Sequence, residues 1–229
     1  SNVANSSISN VDLTRSGGTQ FGRGIYVANG TTAYPFSILN CAVGNRRTGI
    51  YLAGGRDFTV QNNNLSGSGF NFNEPALYLS FLTVNNSLVI NNNTFGGSNF
   101  NTGIRVESTS ELLMSDGTVS GTHVGVTTAN GLGNATGYAV YLANVNRMKV
   151  QNMDLSFTTA TKTGVGIQVT TNGGSTSQVE MKSLVVKNRV DGINIASGTN
   201  HSVKCSDLST NTDGLDIASS VTSFTCEQN

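Results

Sequence analysis

The chain has no tryptophan, only two prolines and three cysteines, and charged residues fill just 11% of its 229 positions. Each shortage excludes something. Thirteen basic residues balance thirteen acidic ones. The basic ones do not cluster, so no nucleic-acid partner is expected. No apolar run is long enough to span a membrane, so no membrane insertion is expected. Scarce proline beside 27 glycines argues against a low-complexity linker. No signal peptide is visible, which leads to the expectation of a mature chain or an excised segment.

Helical signals are missing as well. No long stretch carries a 3.6-residue apolar period, and β-branched residues alternate with polar ones nearly everywhere. Asparagine, serine and threonine fill the polar positions, and short strands are separated by Gly, Asn, Ser and Thr.

What is present is a repeat. "TGIYLAGGRDFTVQNNNLS" (Thr48 to Ser66) aligns with "YAVYLANVNRMKVQNMDLS" (Tyr138 to Ser156). One submotif is Gly-apolar-x-apolar, at Gly24, Gly49, Gly103, Gly166, Gly192 and Gly214, with Ala76 and Ala139 replacing the glycine in two copies. The other is apolar-x-Asn-x-x-apolar, from Ile8–Leu13 through Val60–Leu65 and Val150–Leu155 to Val203–Leu208, with a truncated copy at Phe224. Repeats of two or three short strands with variable turns are the rungs of a solenoid.

On these submotifs the chain resembles, over its whole length, the right-handed parallel β-helix superfamily. That group includes pectate lyases, polygalacturonases, tailspikes and bacterial surface proteins. The expected fold is therefore all-β, a single right-handed parallel β-helix domain over 1–229 with roughly nine irregular rungs. The resemblance is specific for fold and weak for activity.

The third position of the second submotif reads Asn10, Asn40, Asn62, Asn92, Asp116, Asn152, Ser183, Cys205, Cys226. In a solenoid these residues stack at about 4.8 Å. A structural asparagine ladder is expected, each amide bonding its turn and the next amide. Cα atoms about 4.8 Å apart lie inside the usual disulfide range, so the stacking predicts a Cys205–Cys226 bridge and an oxidising, exported setting. Cys41 falls one place off the column and reads as a small buried hydrophobe.

The third residue of the glycine submotif points outward. That column reads Tyr26, Tyr51, Tyr78, Arg105, Tyr141, Gln168, Asn194, Asp216. Two readings stand. One is a sugar-binding face using CH–π contacts, hydroxyls and a guanidinium. The other is tyrosine as a good strand former, paired along the sheet. Phe70 and Phe72, in the extended turn Ser66 to Pro75, could serve recognition or tuck under their own turn. The lengthened rung Gly121 to Gly137 is a second excursion of this kind.

Catalytic signals are sparse. "NTDG" at Asn211 to Gly214 is similar to the first catalytic motif of polygalacturonases, but the later motifs of that family are absent. Asp191 and Asp213 should stack, with Asn194 and Asp216 beside them. These carboxylates read as ordinary turn residues, as a Ca²⁺ site, or as an acid/base group. His123 and His201 read as surface residues. No other cofactor is expected.

The preferred functional reading is an extracellular, cell-surface, non-enzymatic adhesion domain. Its partner would be a glycan or other cell-surface ligand, met by Tyr26, Tyr51, Tyr78, Arg105, Tyr141, Phe70 and Phe72. The alternative is a polysaccharide lyase, hydrolase or epimerase using Asp191, Asp213 and Asp216. No capping helix precedes Asn10, so a fragment of a longer protein, or oligomerisation through an uncapped end, is also expected.

Overall fold

The computed structural model describes residues 6–16, 22–28, 35–55, 57–70, 73–80, 88–96, 102–109, 112–116, 118–120, 137–157, 162 and 164–227. Among them there is no helix, and every strand pairing is parallel. Two long sheets run side by side. The first contains β1 (Ser6–Ser9), β3 (Phe36–Leu39), β5 (Phe58–Gln61), β7 (Leu88–Asn91), β10 (Leu112–Ser115), β13 (Asn146–Gln151), β15 (Ser177–Lys182), β17 (Thr199–Lys204) and β19 (Thr222–Glu227), in that spatial order. The second contains β2 (Arg23–Ala28), β4 (Thr48–Ala53), β6 (Leu77–Ser80), β9 (Thr102–Glu107), β12 (Tyr138–Ala143), β14 (Val165–Thr170), β16 (Asp191–Ile195) and β18 (Asp213–Ile217). A third, minimal ladder is carried by β8 (Thr94–Gly96) with β11 (Thr118–Ser120), and by single bridges such as Asp12 to Ala42 and Ala42 to Asn64. The chain visits the three in rotation, which is an all-β parallel β-helix.

Alternation builds the core. In the second sheet Ile50 and Leu52 stack on Leu77 and Leu79, then on Ile104 and Val106, all fully buried. The glycine of the first submotif is a close-approach residue. A Cβ on Gly49 would stand 2.8 Å from the Ala76 carbonyl oxygen, and one on Gly192 would stand 2.5 Å from that of Gly214. Only a very small residue lets the next rung settle there.

The asparagine column has a conformational basis. Asn10, Asn40, Asn62, Asn92, Asp116, Asn152, Ser183 and Cys205 all have φ between 49° and 57°. Each ends a strand of the first sheet in the left-handed region, which Asn and Asp tolerate best among non-glycine residues. Amide-to-amide bonds occur at Asn62 to Asn40 (3.1 Å) and Asn92 to Asn62 (2.8 Å). What runs along the whole column is the backbone turn rather than a continuous amide ladder.

The three consecutive asparagines Asn62, Asn63 and Asn64 have three separate roles. Asn62 makes the left-handed turn. Asn63 is buried; its Oδ1 accepts the Cys41 N–H (2.9 Å), and its amide donates to the Ile38 carbonyl and to Asn93 Oδ1 (both 2.9 Å). Asn64 faces out and its Oδ1 accepts the Ser66 N–H (3.0 Å), a turn that Asp12, Asp154 and Asp207 repeat in other rungs. The inner pair Asn63 and Asn93 is a ladder that the submotif did not single out.

A corner column was also missed. Arg46 Nε and Nη2 donate to the Leu13 carbonyl (3.0 and 2.7 Å), and Arg189 Nε and Nη2 donate to that of Leu155 (2.9 and 2.8 Å). Ser68 and Asn211 do the same for Val43 and Val186 (2.8 and 2.7 Å). Arg189 is fully buried, and burial lowers its pKa to about 9. The signal was the shared spacing of "VGNRRTGI" and "VKNRVDGI".

The predicted Cys205–Cys226 disulfide is absent; both cysteines are unbridged and exposed, while Cys41 is unbridged and buried. The cause is register. β17 pairs with β19 so that Cys226 sits beside Val203 and Glu227 beside Lys204. Cys205 is therefore two residues out of line. That offset puts the two Cα atoms about 8 Å apart by strand geometry, beyond bridging range. His201, expected at the surface, is 1% exposed and its Nδ1 accepts the Val179 N–H at 3.3 Å. His123 and most of the rung Gly121 to Gly137 lie outside the described residues.

Candidate functional site

The outward row of the second sheet is in register from end to end. Tyr26 pairs with Tyr51, Tyr51 with Tyr78, Tyr78 with Arg105, Arg105 with Tyr141, Tyr141 with Gln168, Gln168 with Asn194, and Asn194 with Asp216. The geometry divides this row into three parts with different chemistry.

The middle part is internally neutralised. Arg105 was expected to present its guanidinium outward, but it is only 8% exposed. Its Nη2 donates to Glu107 Oε1 at 2.6 Å and its Nη1 to Asn73 Oδ1 at 2.9 Å. Tyr78 donates its hydroxyl to Glu107 Oε2 at 2.5 Å. The guanidinium lies 5.1 Å from the Tyr78 ring centre and 5.7 Å from that of Tyr141. Burial pushes the Tyr78 phenol up to about 12, with the bond to Glu107 adding to it. Burial also raises the pKa of Tyr141 and Tyr138. A charge pair this enclosed persists because each partner takes a further hydrogen bond, Arg105 to Asn73 and Glu107 from Tyr78.

The first part is open. Tyr26 is 51% exposed, Tyr51 is half-buried and Arg23 is exposed. The Arg23 guanidinium lies 4.7 Å from the Tyr26 ring centre and 4.8 Å from that of Tyr51. The two rings are 5.2 Å apart and tilted by 40°. Among the described residues, neither phenol hydroxyl has a hydrogen-bond partner, and Arg23 meets no carboxylate. Tyr51 and Tyr78 stack at 4.7 Å with planes 9° apart, so their facing surfaces are closed to a ligand. A flat platform of open ring faces is therefore not what this row offers at those two positions.

The third part is an acidic amide run. Gln168 Nε2 donates to Asn194 Oδ1 at 3.0 Å, and Asn194 Nδ2 donates to Asp216 Oδ2 at 2.8 Å. Asp191 stacks beside Asp213 as expected. Burial raises the Asp191 pKa; the Asn194 bond opposes this, and the charges of Asp216 and Asp213 reinforce it. Among the described residues no group of three or more acidic, histidine or cysteine side chains is arranged to hold a metal ion. Asp191, Asp213 and Asp216 are thus not gathered as a Ca²⁺ cluster.

Phe70 is half-buried beneath Arg47, whose guanidinium stands 4.4 Å from the ring centre and pairs with Glu74 at 2.8 Å. The ring is thus covered by an arginine of the neighbouring rung. Phe72 lies outside the described residues. An open pocket of about 590 Å³ lies elsewhere, at the last rung, lined by residues that include Leu208, Leu215 and Cys226.

No family model, curated protein or solved structure matches this chain.

Proposed function

We propose that the chain is a non-enzymatic binding or adhesion domain of an extracellular, cell-surface protein, on a β-helix of the pectate-lyase-like superfamily, and that it recognises glycans. The observation that carries this reading is the trio Arg23, Tyr26 and Tyr51 on a parallel sheet, whose hydroxyls and guanidinium meet no side-chain acceptor among the described residues. Phenols and a guanidinium supply directed donors to sugar hydroxyls, and the exposed Tyr26 ring supplies apolar area. A surface already ordered by strand pairing loses little freedom on binding. The extracellular setting is supported by the fold resemblance and the low charge, not by a disulfide.

A glycan-array screen tests it. Wild-type protein should bind a discrete set of glycans, and Tyr26→Ala should lose most of that binding while keeping its melting temperature. Absence of any glycan binding by the folded protein would defeat the proposal.

One observation favours a second reading, a polysaccharide lyase, hydrolase or epimerase. Asp191 stacks beside Asp213 with Asp216 close by, and burial together with those charges raises its pKa, the direction that suits an acid. Release of reducing ends or of unsaturated uronates, lost in Asp191→Asn, would establish it.

A further inference from the structure

Resting on the glycan-binding reading above, we infer that the ligand is an acidic glycan and that Arg23 is the residue that reads its carboxylate or sulfate. Four of the described arginines have head groups already engaged by this chain. Arg46 and Arg189 fork onto buried backbone carbonyls. Arg47 pairs with Glu74, and Arg105 with Glu107. Each of these is already committed to the fold. Arg23 is different: it is exposed, and among the described residues its guanidinium meets the rings of Tyr26 and Tyr51 but no acidic group.

The contact with the rings matters for more than stability. A guanidinium resting against two aromatic rings is oriented before a ligand arrives, yet its N–H donors stay available. An arginine presents five such donors in a rigid fork that matches a carboxylate or sulfate. A sugar hydroxyl would also accept from it, but a charged acceptor makes a bond roughly twice as strong. The neighbouring Tyr26 and Tyr51 hydroxyls then stand ready for ring hydroxyls of the same sugar.

The rest of the row sets the direction. Beyond Tyr51 the next positive charge, Arg105, is neutralised by Glu107. The far end carries Asp213 and Asp216. An anionic chain lying along the sheet is therefore attracted at β2 and β4 and repelled at β16 and β18. One guanidinium without a basic run suits a sugar acid and not a nucleic acid, whose phosphates need several cations.

The test uses the whole chain and matched probes: oligogalacturonate, oligoguluronate and oligoglucuronate, each beside its methyl ester, and a sulfated oligosaccharide beside its desulfated form. Binding is measured by titration calorimetry at low and at physiological salt. At least one charged probe should bind, its uncharged counterpart should bind ten- to a hundredfold more weakly, and added salt should weaken the charged probe alone. Arg23→Gln should erase the preference, Arg23→Lys should restore part of it, and both should melt with the wild type. Glycan binding with no preference for charge would overturn the inference and leave the glycan reading intact. A charge preference that survives Arg23→Gln would overturn the assignment to Arg23. Failure of every charged, uncharged and array glycan to bind would overturn both.

Discussion

Tyr78 donates its hydroxyl to one oxygen of Glu107 at 2.5 Å, and Arg105 donates to the other at 2.6 Å. One carboxylate thus holds two neighbours of the outward row. Glu107→Gln should leave the Arg105 charge enclosed without its counter-ion, at a cost of about 3 kcal/mol in denaturant unfolding. Replacing Arg105 and Glu107 together by apolar residues should cost less than Glu107→Gln alone, and a double-mutant cycle would show the coupling.

The same site predicts loss of stability in alkali. The folded Tyr78 phenol titrates at about 12, against an ordinary 10.0. Above pH 10 the unfolded chain releases a proton that the folded chain retains, so stability should fall as the pH climbs from 10 towards 12. Tyr78→Phe should flatten that limb, which urea titrations at stepped pH would follow.

His201 predicts the opposite limb. Burial lowers its pKa below the ordinary 6.5. As the pH falls through 6.5 the unfolded chain takes up a proton that the folded one refuses, so stability should decline and then level off once the buried ring itself protonates. Carboxylates contribute further down in pH. His201→Gln, judged against the wild-type profile, should remove the decline nearest neutrality.

Cys205 and Cys226 are exposed and Cys41 is buried. Native protein without reductant should therefore take up two alkylating groups, and peptide mapping should find them on Cys205 and Cys226. Cys205→Ser should change stability by less than about 0.5 kcal/mol. A native mass two protons below that of the reduced chain would restore the bridge.

Asn62 and Asn63 are adjacent but should differ sharply. Asn62 is exposed with φ of 57°, a conformation glycine adopts freely, so Asn62→Gly should be mild. Asn63 satisfies the Cys41 N–H and the Ile38 carbonyl inside the core. Asn63→Gly should cost about 2–4 kcal/mol, because both groups would lose their partner away from water. Thermal melts of the two variants side by side check this.

Much of the fold was legible in the chain. The rule that alternate strand residues share a face placed Tyr26, Tyr51, Tyr78, Arg105 and Tyr141 in one row, and the pairing register agrees. The submotif alignment failed at the last rung, although alternation held there. The submotif aligned Phe224 with Val203, whereas Phe224 pairs with His201. With neither the asparagine turn nor the apolar residue that follows it, that truncated copy had nothing to anchor its register.

The sequence alone determined strands, their inward and outward faces, and the turns, because these depend on backbone conformation and local alternation. Only the tertiary structure decided which outward groups remain open to a ligand. Arg105 meets Asn73 from 32 residues away, and Tyr78 meets Glu107 from 29. Arg189 and His201 are buried by neighbouring rungs in the same manner. Side-chain neutralisation and burial depend on how each turn returns the chain to the rung beside it, and that path depends on packing between rungs rather than on local alternation.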